Sequence, residues 1–427
     1  MPLPPARLAG GGPRQTERSN FSDMTGAMYA AIAGLRTHMQ NLNVIGNNVA
    51  NVNTYGYKAA RSVFKTSLYT TLSGGSDGTT VLGGANPSQI GYGATMGSVG
   101  IDMSTGNYAV TGMATDLMLD GAGFFVLGDK TTAQQFDGTG GDQSVLNGMT
   151  LTRVGDFTFG ADGYLAKEDD GMCVYGFQCT GYDEDTGEPI FSDQLVPIRY
   201  PGVNRTTKDG ETTVELVWPS TKKDETGLPD GYLGDAGHEV EVTGGNATQK
   251  VIEPYPKASF KGITIDKNTG VITGTCDDTG ELVTIGIIAV GQVRNPNGVT
   301  NLGDNYYQAG EGSGGLSIAL LGGAAESINW NGKAAGNKVN YMNQSLRQDA
   351  NTPGGGNGND PAADIADVCR LRTGGKTRVL QNGLEMSKTD LAQEISQMIL
   401  TQRGYQANTR IITVTDSMLE ELVNMKR

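Results

Sequence analysis

The chain has 427 residues, carries a formal net charge of −14 and contains 64 glycines. At roughly 150 residues per domain the length predicts two to four domains, and a glycine content about twice the usual ~7% argues against a mostly helical protein. The excess of 46 acidic over 32 basic residues argues against proteins that bind nucleic acid or anionic membranes, because both attract a basic surface.

The first 23 residues have the composition of a disordered leader. They hold four prolines and a run of three glycines, and they contain no apolar segment of the kind found in signal peptides. We therefore predict no cleaved secretory signal here, and we expect the ordered part of the chain to begin at Met24. No later run approaches the roughly 20 apolar residues of a membrane span.

A helix with a narrow apolar stripe is predicted after Met24. Apolar residues recur there at intervals of seven with intermediate steps of four, the spacing of one helix face. The stripe comprises Met28, Ile32, Leu35, Met39, Leu42 and Val49. Six asparagines between Asn41 and Asn53 are poor helix formers, because their amides compete for backbone hydrogen bonds. We expect them to act as caps and hydrogen-bond partners.

The middle of the chain is predicted to be antiparallel β structure. Residues 66–95 are rich in serine, threonine and glycine, which predicts an extended stretch or loop. From about 94 to 293, short apolar runs alternate with turns of the Asp-Gly type, which supply the positive φ of tight hairpins. The runs are 117–119, 124–127, 157–159, 164–165, 263–265, 271–276 and 282–290. Such spacing is typical of β-sandwich or barrel modules.

A second long helix is predicted from Leu391 to Met425, following a glycine-rich linker at 350–361. It would be ~50 Å long at 1.5 Å per residue. Its stripe comprises Leu391, Ile395, Met398, Tyr405, Ile412 and Leu419, whereas the alternate heptad step holds the polar Glu394, Thr401, Asn408 and Thr415. An autonomous two-stranded coiled coil needs both steps apolar, so we expect this helix to need several neighbours. Two arrangements stay open: the end helices pair with each other, or each packs separately on a globular core.

Candidate catalytic motifs fail on their context. The sequence at 74–78 matches the GxSxG elbow, which requires a strand before it, a helix after it and a triad histidine, but it lies in a predicted loop and the histidines are His38 and His238. The sequence at 374–377 has Arg370 where a phosphate loop has its first glycine. The acidic turns at 183–187 and 266–270 lack calcium-loop spacing. The paired carboxylates of glycoside hydrolysis are brought together only by the fold, and no sequence feature identifies such a pair here. We predict no catalytic residue, cofactor or metal.

The four cysteines are Cys173, Cys179, Cys276 and Cys369. They form no CxxC pair and are too sparse for a disulfide framework. Free thiols are the prediction, and a Cys173–Cys179 bond across a hairpin is the alternative.

Motifs at both ends resemble those of one family. Residues 46–58, GNNVANVNTYGYK, resemble the GNNIANxNTxGFK signature of flagellar rod and hook proteins. Residues 383–391 resemble the family's GxLExSNVDL, departing at Lys388 and Thr389, and residues 398–408 resemble its MIxxQRxYQAN. Segments 120–126 and 152–157 resemble its first β-domain motifs. The resemblance is carried by Asn47, Asn48, Asn51, Asn53, Gly56, Tyr57, Lys58, Leu384, Glu385, Gln402, Arg403, Gln406 and Asn408.

The predicted fold class is α+β, with long N- and C-terminal helices in a coiled-coil-like stem and nested, sandwich- or barrel-like all-β domains inserted between them. The predicted division is a disordered leader at 1–23, a helical stem at 24–60 plus 384–427, extended connections at 61–95 plus 346–383, an inner β domain at 96–174 plus 291–345, and an outer β domain at 175–290.

The resemblance implies a structural, non-enzymatic subunit that polymerises into the curved, flexible tube joining rod to filament, and the length favours the hook over the shorter rod proteins. It implies as partners identical subunits, a distal rod protein, a hook cap protein, a hook–filament junction protein and the flagellar type III export apparatus. The implied location is the extracellular flagellum, reached without signal cleavage. The twelve stripe residues are the predicted assembly contacts, and closure of an intramolecular core is their alternative role. The alternative functions are a distal rod subunit, a β-rich adhesin and a cell-wall hydrolase.

Overall fold

The computed structural model describes residues 13–78, 83–132, 142–184, 187–208, 211–218, 237–244, 247–254, 256–321, 329–330 and 377–425. The chain divides into two compact units, which are described separately. The first comprises Met1–Val52, Lys58–Asp102 and Thr389–Arg427, and the second comprises Asn53–Tyr57 and Met103–Lys388. Helices at both ends with β-sheets between them confirm the α+β class.

Three α-helices lie in the described residues: α1 (Pro13–Ala50), α2 (Asp142–Gly148) and α3 (Leu391–Met425). The bounds of α3 are those predicted. The prediction of a disordered leader up to residue 23 is wrong for residues 13–23, because α1 begins at Pro13. Proline suits a first helical position, since its φ is already helical and its missing N–H has no partner to lose there. Residues 1–12 lie outside the described part of the chain.

The described residues of the first unit form four strands besides the two long helices. They are β1 (Ala60–Thr66), β2 (Tyr69–Ser73), β3 (Ser88–Gly91) and β4 (Ala94–Ile101). β1 pairs antiparallel with β4, and β2 with β3. The predicted extended connection at 61–95 is therefore a ribbon of paired strands, in which the backbone groups of a glycine- and threonine-rich segment find hydrogen bonds. Of its predicted counterpart, residues 346–376 lie outside the described residues.

The second unit holds the remaining strands. They are β5 (Tyr108–Val110), β6 (Leu117–Asp120), β7 (Phe124–Gly128), β8 (Thr150–Thr152), β9 (Phe157–Phe159), β10 (Leu165–Lys167), β11 (Cys173–Tyr182), β12 (Pro189–Pro197), β13 (Gly202–Lys208), β14 (Glu211–Val217), β15 (Gly237–Gly244), β16 (Ala247–Pro254), β17 (Phe260–Ile265), β18 (Val271–Cys276), β19 (Leu282–Ile288), β20 (Val290–Val293), β21 (Thr300–Gly303), β22 (Tyr306–Gln308), β23 (Leu316–Ala319), β24 (Asn329–Trp330), β25 (Arg378–Gln381) and β26 (Gly383–Glu385). The predicted hairpin β9–β10 and meander β17–β18–β19 are confirmed.

One fourteen-stranded sheet dominates this unit. Its main path runs β17-β18-β19-β11-β7-β8-β22-β21. The boundary predicted between residues 174 and 175 falls inside β11. Cys173 and Val174 pair with β7, whereas Tyr175 and the residues after it pair with β12, and Gly176–Gln178 also pair with β19. The partner strands therefore change at the predicted boundary while β11 itself continues, and the division into an inner and an outer β domain stays a prediction.

Two strand pairs join the two halves of the sequence within this unit. β6 pairs with β25 and β5 with β26, so residues near 110–120 lie beside residues near 380. Leu384 and Glu385, placed in the predicted helical stem, belong to strand β26 instead. The helix begins six residues later, where the Asp390 carboxylate accepts hydrogen bonds from the N–H groups of Ala392 and Gln393 at 3.0 and 3.2 Å. An aspartate N-cap fixes this start, because it satisfies donors that have no intrahelical partner.

The main core lies between these strands. It includes Leu117, Phe125, Val174, Ile285 and Val379. Cys173 and Cys179 are buried free thiols in β11, and Cys276 is a buried free thiol in β18. Six residues of strand span about 20 Å, too far for a disulfide, so free thiols are confirmed for these three. Cys369 lies outside the described residues.

The structure locates one of the two candidate catalytic motifs. The sequence at 74–78 lies between β2 and β3, where Ser76 pairs with Ala85 in a single bridge. Most of 374–377 falls outside the described residues. No group of three or more potential metal-ligating side chains occurs among the residues that the structure describes. None of the described helices is both long and apolar enough to span a bilayer.

Candidate assembly surface of the terminal helices

In the first unit, α1 and α3 pack against each other in antiparallel directions. The Asn41 amide donates to Thr401 Oγ1 at 2.9 Å, and the Asn48 amide donates to Glu394 Oε1 at 3.1 Å. Nearer the start of α1, Gly34 lies against the side chain of Asn408. Contacts with later residues of α1 therefore involve earlier residues of α3, which is an antiparallel alignment. Of the two predicted arrangements, pairing of the end helices or separate packing of each on a globular core, the structure shows the end helices in contact with each other.

The polar heptad step of α3 faces α1. Glu394, Thr401 and Asn408 make the contacts just described, and Thr401 and Thr415 are the two buried residues of α3. A polar, small-residue seam of this kind aligns two helices by hydrogen bonds and close approach rather than by a large apolar contact. It leaves most apolar residues of α3 for other surfaces.

None of the twelve predicted assembly residues is fully buried. Met28, Ile32, Leu35, Leu42, Val49, Met398, Tyr405, Ile412 and Leu419 are half-buried, and Met39, Leu391 and Ile395 are exposed. On α1 the buried positions are instead Ala31, Thr37, Ile45 and Asn48. The predicted stripe is thus offset by about one residue from the buried face, and incomplete burial is what free contact surfaces would show. Their role in assembly stays a prediction.

The structure adds apolar residues to this surface. Ile399, Leu400, Ile411, Val414, Met418, Leu422, Val423 and Met425 are each at least 41% exposed. The predicted set omitted them because a single heptad template selects one stripe. An exposed apolar face of this length is typical of interaction surfaces, because apolar area left in water costs about 25 cal/mol per Å².

Asn48 explains one part of the amino-terminal motif. It is buried, its amide donates to the Ala60 carbonyl at 2.8 Å, and its side-chain oxygen accepts from the Ala60 N–H at 2.9 Å. The Asn48 side chain therefore hydrogen-bonds both backbone groups of Ala60, the first residue of β1, and its amide also donates to Glu394. The prediction that the asparagines act as hydrogen-bond partners is confirmed here.

The other motif residues fall into three groups by exposure. Gly56, Tyr57, Lys58, Leu384 and Glu385 are buried, Asn51 and Asn408 are half-buried, and Asn47, Asn53, Gln402, Arg403 and Gln406 are exposed. Gly56 has φ +66° and a Cβ there would lie 2.9 Å from the Val154 nitrogen. Both observations require glycine, because other residues carry a Cβ and avoid this region of φ.

A buried ion pair organises the second unit around Glu385. Arg153 Nε lies 3.2 Å from Glu385 Oε2, with side chains 2% and 1% exposed. The guanidinium also donates to the carbonyls of Gly121 and Gly123 at 2.9 and 2.8 Å, and Glu385 Oε1 accepts from the Gly106 N–H at 2.7 Å. Burial lowers the pKa of Arg153, and the Glu385 carboxylate opposes that shift. Arg153 lies in the motif segment 152–157, whose sequence alone assigns it no role.

The close helix contact at Gly404 predicts opposite results for two glycine substitutions. A Cβ at Gly404 would lie 2.7 Å from the His38 ring, whereas a Cβ at Gly46 would meet nothing within 4 Å. We expect Gly46→Ala to stabilise the helices by about 0.5–1 kcal/mol and Gly404→Ala to destabilise them by about 1–3 kcal/mol. Thermal unfolding of the full chain, followed by circular dichroism at 222 nm, measures both. Stabilisation by Gly404→Ala would contradict the packing.

Asp156 predicts a pH dependence of stability. Burial raises its pKa from 3.8 to about 6, although Lys167 lies 3.7 Å away and opposes the shift. Because the folded state binds this proton more tightly, the contribution is complete below pH 3.8 and is lost as the pH rises towards 6. We expect Asp156→Asn to remove part of the stability loss between these pH values, with Glu311→Gln as a control for removing an exposed carboxylate. Urea denaturation at several pH values tests this, and equal pH profiles for both variants would contradict it.

Comparison with known proteins finds similarity over more than nine-tenths of the chain. The model described as "Flagella basal body rod protein" matches residues 28–58, and the model described as "Flagellar basal body rod FlgEFG protein C-terminal" matches residues 380–425. The flagellar hook protein FlgE of Borreliella burgdorferi is 25% identical over 470 residues, covering 94% of this chain and 100% of that protein. FlgE of Brucella melitensis is 28% identical over 443 residues, covering 94% and 99%. The flagellar basal-body rod protein FlgG of Bacillus subtilis is 28% identical over 407 residues, covering 95% and 100%.

Proposed function

Since the chain belongs to the family of flagellar rod and hook proteins, we propose that it is a structural subunit of the bacterial flagellum that self-assembles into the hook. The observation that carries this proposal is the alignment with hook proteins over more than nine-tenths of both partners. The chain acts by assembly, as a flexible tube that passes torque from rod to filament, and not as an enzyme.

The exposed apolar face of α3 and the half-buried stripe of α1 support assembly through the terminal helices. The two helices contact each other through polar side chains, so the exposed apolar residues of α3 are available to contact helices of neighbouring copies. In this proposal the helices form a coiled-coil-like stem that lines the channel of the tube, and the β structure inserted between them lies outward. The twelve stripe residues are the subunit contacts.

The remaining partners and the location belong to the same proposal. The tube would contact a distal rod protein at one end and a hook cap protein or hook–filament junction protein at the other. The chain would leave the cell through the flagellar type III export apparatus without signal cleavage and act outside the cell.

A distal rod subunit is the second candidate, because FlgG of Bacillus subtilis aligns with 95% of the chain at 28% identity. The adhesin and cell-wall hydrolase alternatives have no comparable support, since neither accounts for motifs at both ends of the chain.

Electron microscopy of basal bodies from cells lacking this gene distinguishes the candidates. We expect complete rods that end without a hook, and normal structures after the gene is restored. Truncated rods would assign the chain to the distal rod, and normal flagella would contradict both flagellar roles.

A further inference from the structure

A surface groove of about 470 Å³ lies in the second unit. Its wall includes Tyr182, Trp218 and Leu282. The rings of Tyr182 and Trp218 meet edge to face with centroids 5.7 Å apart, and Leu282 is 68% exposed. The volume is in the range of small-molecule pockets, about 300–1,000 Å³.

Two carboxylates line the same groove. Glu215 comes from β14 and Glu281 from the turn before β19, and both are exposed. None of the described residues that line the groove is basic. In the neighbouring turn, Asp278 pairs with Arg205 and Asp277 pairs with Lys261, so those carboxylates have cations of their own.

Aromatic faces beside carboxylates have a defined chemical preference. A ring attracts a cation over its face, an effect worth about 0.5–2 kcal/mol, and a carboxylate supplies the opposite charge. A lysine side chain satisfies both parts, since its four methylenes pack on apolar surface while its ammonium reaches charged groups.

We propose that this groove receives a lysine side chain of a second copy of the chain in the assembled tube. The inference rests on the proposed function, which places identical copies side by side. Each copy carries a net charge of −14, so neighbouring copies repel each other over distances comparable to the ~8–10 Å Debye length. A lysine inserted between Glu215 and Glu281 replaces that repulsion by attraction at one defined contact and fixes the lateral register of the copies.

Carbodiimide cross-linking of isolated hooks and of the purified monomer tests the contact. The reagent joins a carboxylate directly to a lysine amine that touches it. We expect a cross-linked dimer in hooks, with peptide mass spectra joining Glu215 or Glu281 to a lysine of another copy, and no such link in the monomer.

Two variants make the result specific. Glu215→Gln with Glu281→Gln should abolish that link while retaining the shape of both side chains, and Glu311→Gln, an exposed glutamate outside the groove, should leave it unchanged. Hooks without the link, or a link equally present in the monomer, would overturn the inference while leaving the proposed function intact. A wild-type chain that forms no tube would overturn the proposed function, and the inference with it.

Discussion

Arg153→Met is expected to lower the free energy of unfolding of the second unit by about 3–5 kcal/mol, because it leaves the Glu385 carboxylate buried without its cation. The loss is large since Glu385 is 1% exposed and water cannot replace the guanidinium. The substitution also removes two donors from the carbonyls of Gly121 and Gly123. Urea denaturation of the full chain measures it by fluorescence, because both tryptophans, Trp218 and Trp330, belong to this unit.

An exposed ion pair provides the matched control. Arg205 makes two hydrogen bonds to Asp278, at 2.8 and 2.9 Å, but its side chain is 51% exposed. Arg205→Met should therefore cost only about 0–1 kcal/mol. Combining Arg153→Met with Glu385→Leu should cost less than the two single variants added together, because the double variant leaves neither charge buried alone. Equal losses for Arg153→Met and Arg205→Met would show that the buried pair does not organise this unit.

Leu391→Asp is expected to abolish polymerisation while leaving a folded, soluble monomer. Leu391 is 43% exposed at the first position of α3, so its apolar surface is available to a neighbouring copy. The substitution does not break the helix, because an acidic residue in the first turn interacts favourably with the helix dipole. If Leu391 instead closed an intramolecular core, the same substitution would unfold the monomer.

Sedimentation and electron microscopy measure assembly, and circular dichroism measures the fold of the monomer. Gln393→Asp is the matched control, since it adds the same charge in the same exposed turn without removing an apolar side chain. We expect this control to polymerise. Assembly of Leu391→Asp at the wild-type concentration, or loss of helix signal in its monomer, would contradict the assigned role.

The local features of this protein are determined by its sequence alone. The heptad spacing predicts α3 with its observed ends, and the Asp-Gly and Asn-Thr-Gly turns predict the hairpins of β9–β10 and β17–β18–β19. These signals are readable because helix period and turn φ depend on residues close in sequence. The helix α1 begins eleven residues before the predicted start at Met24, because Pro13 is compatible with the first position of a helix although prolines and glycines near a terminus are typical of a disordered segment.

Contacts between remote segments were decided by the tertiary structure. In the sequence, the polar residues Glu394, Thr401 and Asn408 interrupt the apolar pattern of a coiled coil. In the structure they face α1, because the antiparallel alignment places Asn48, Asn41 and Gly34 opposite them. The Arg153–Glu385 pair joins residues more than 200 positions apart, and β11 pairs with β7 at its start and with β12 farther along. Such pairings depend on the total burial and hydrogen bonding of the folded chain, which no local pattern records.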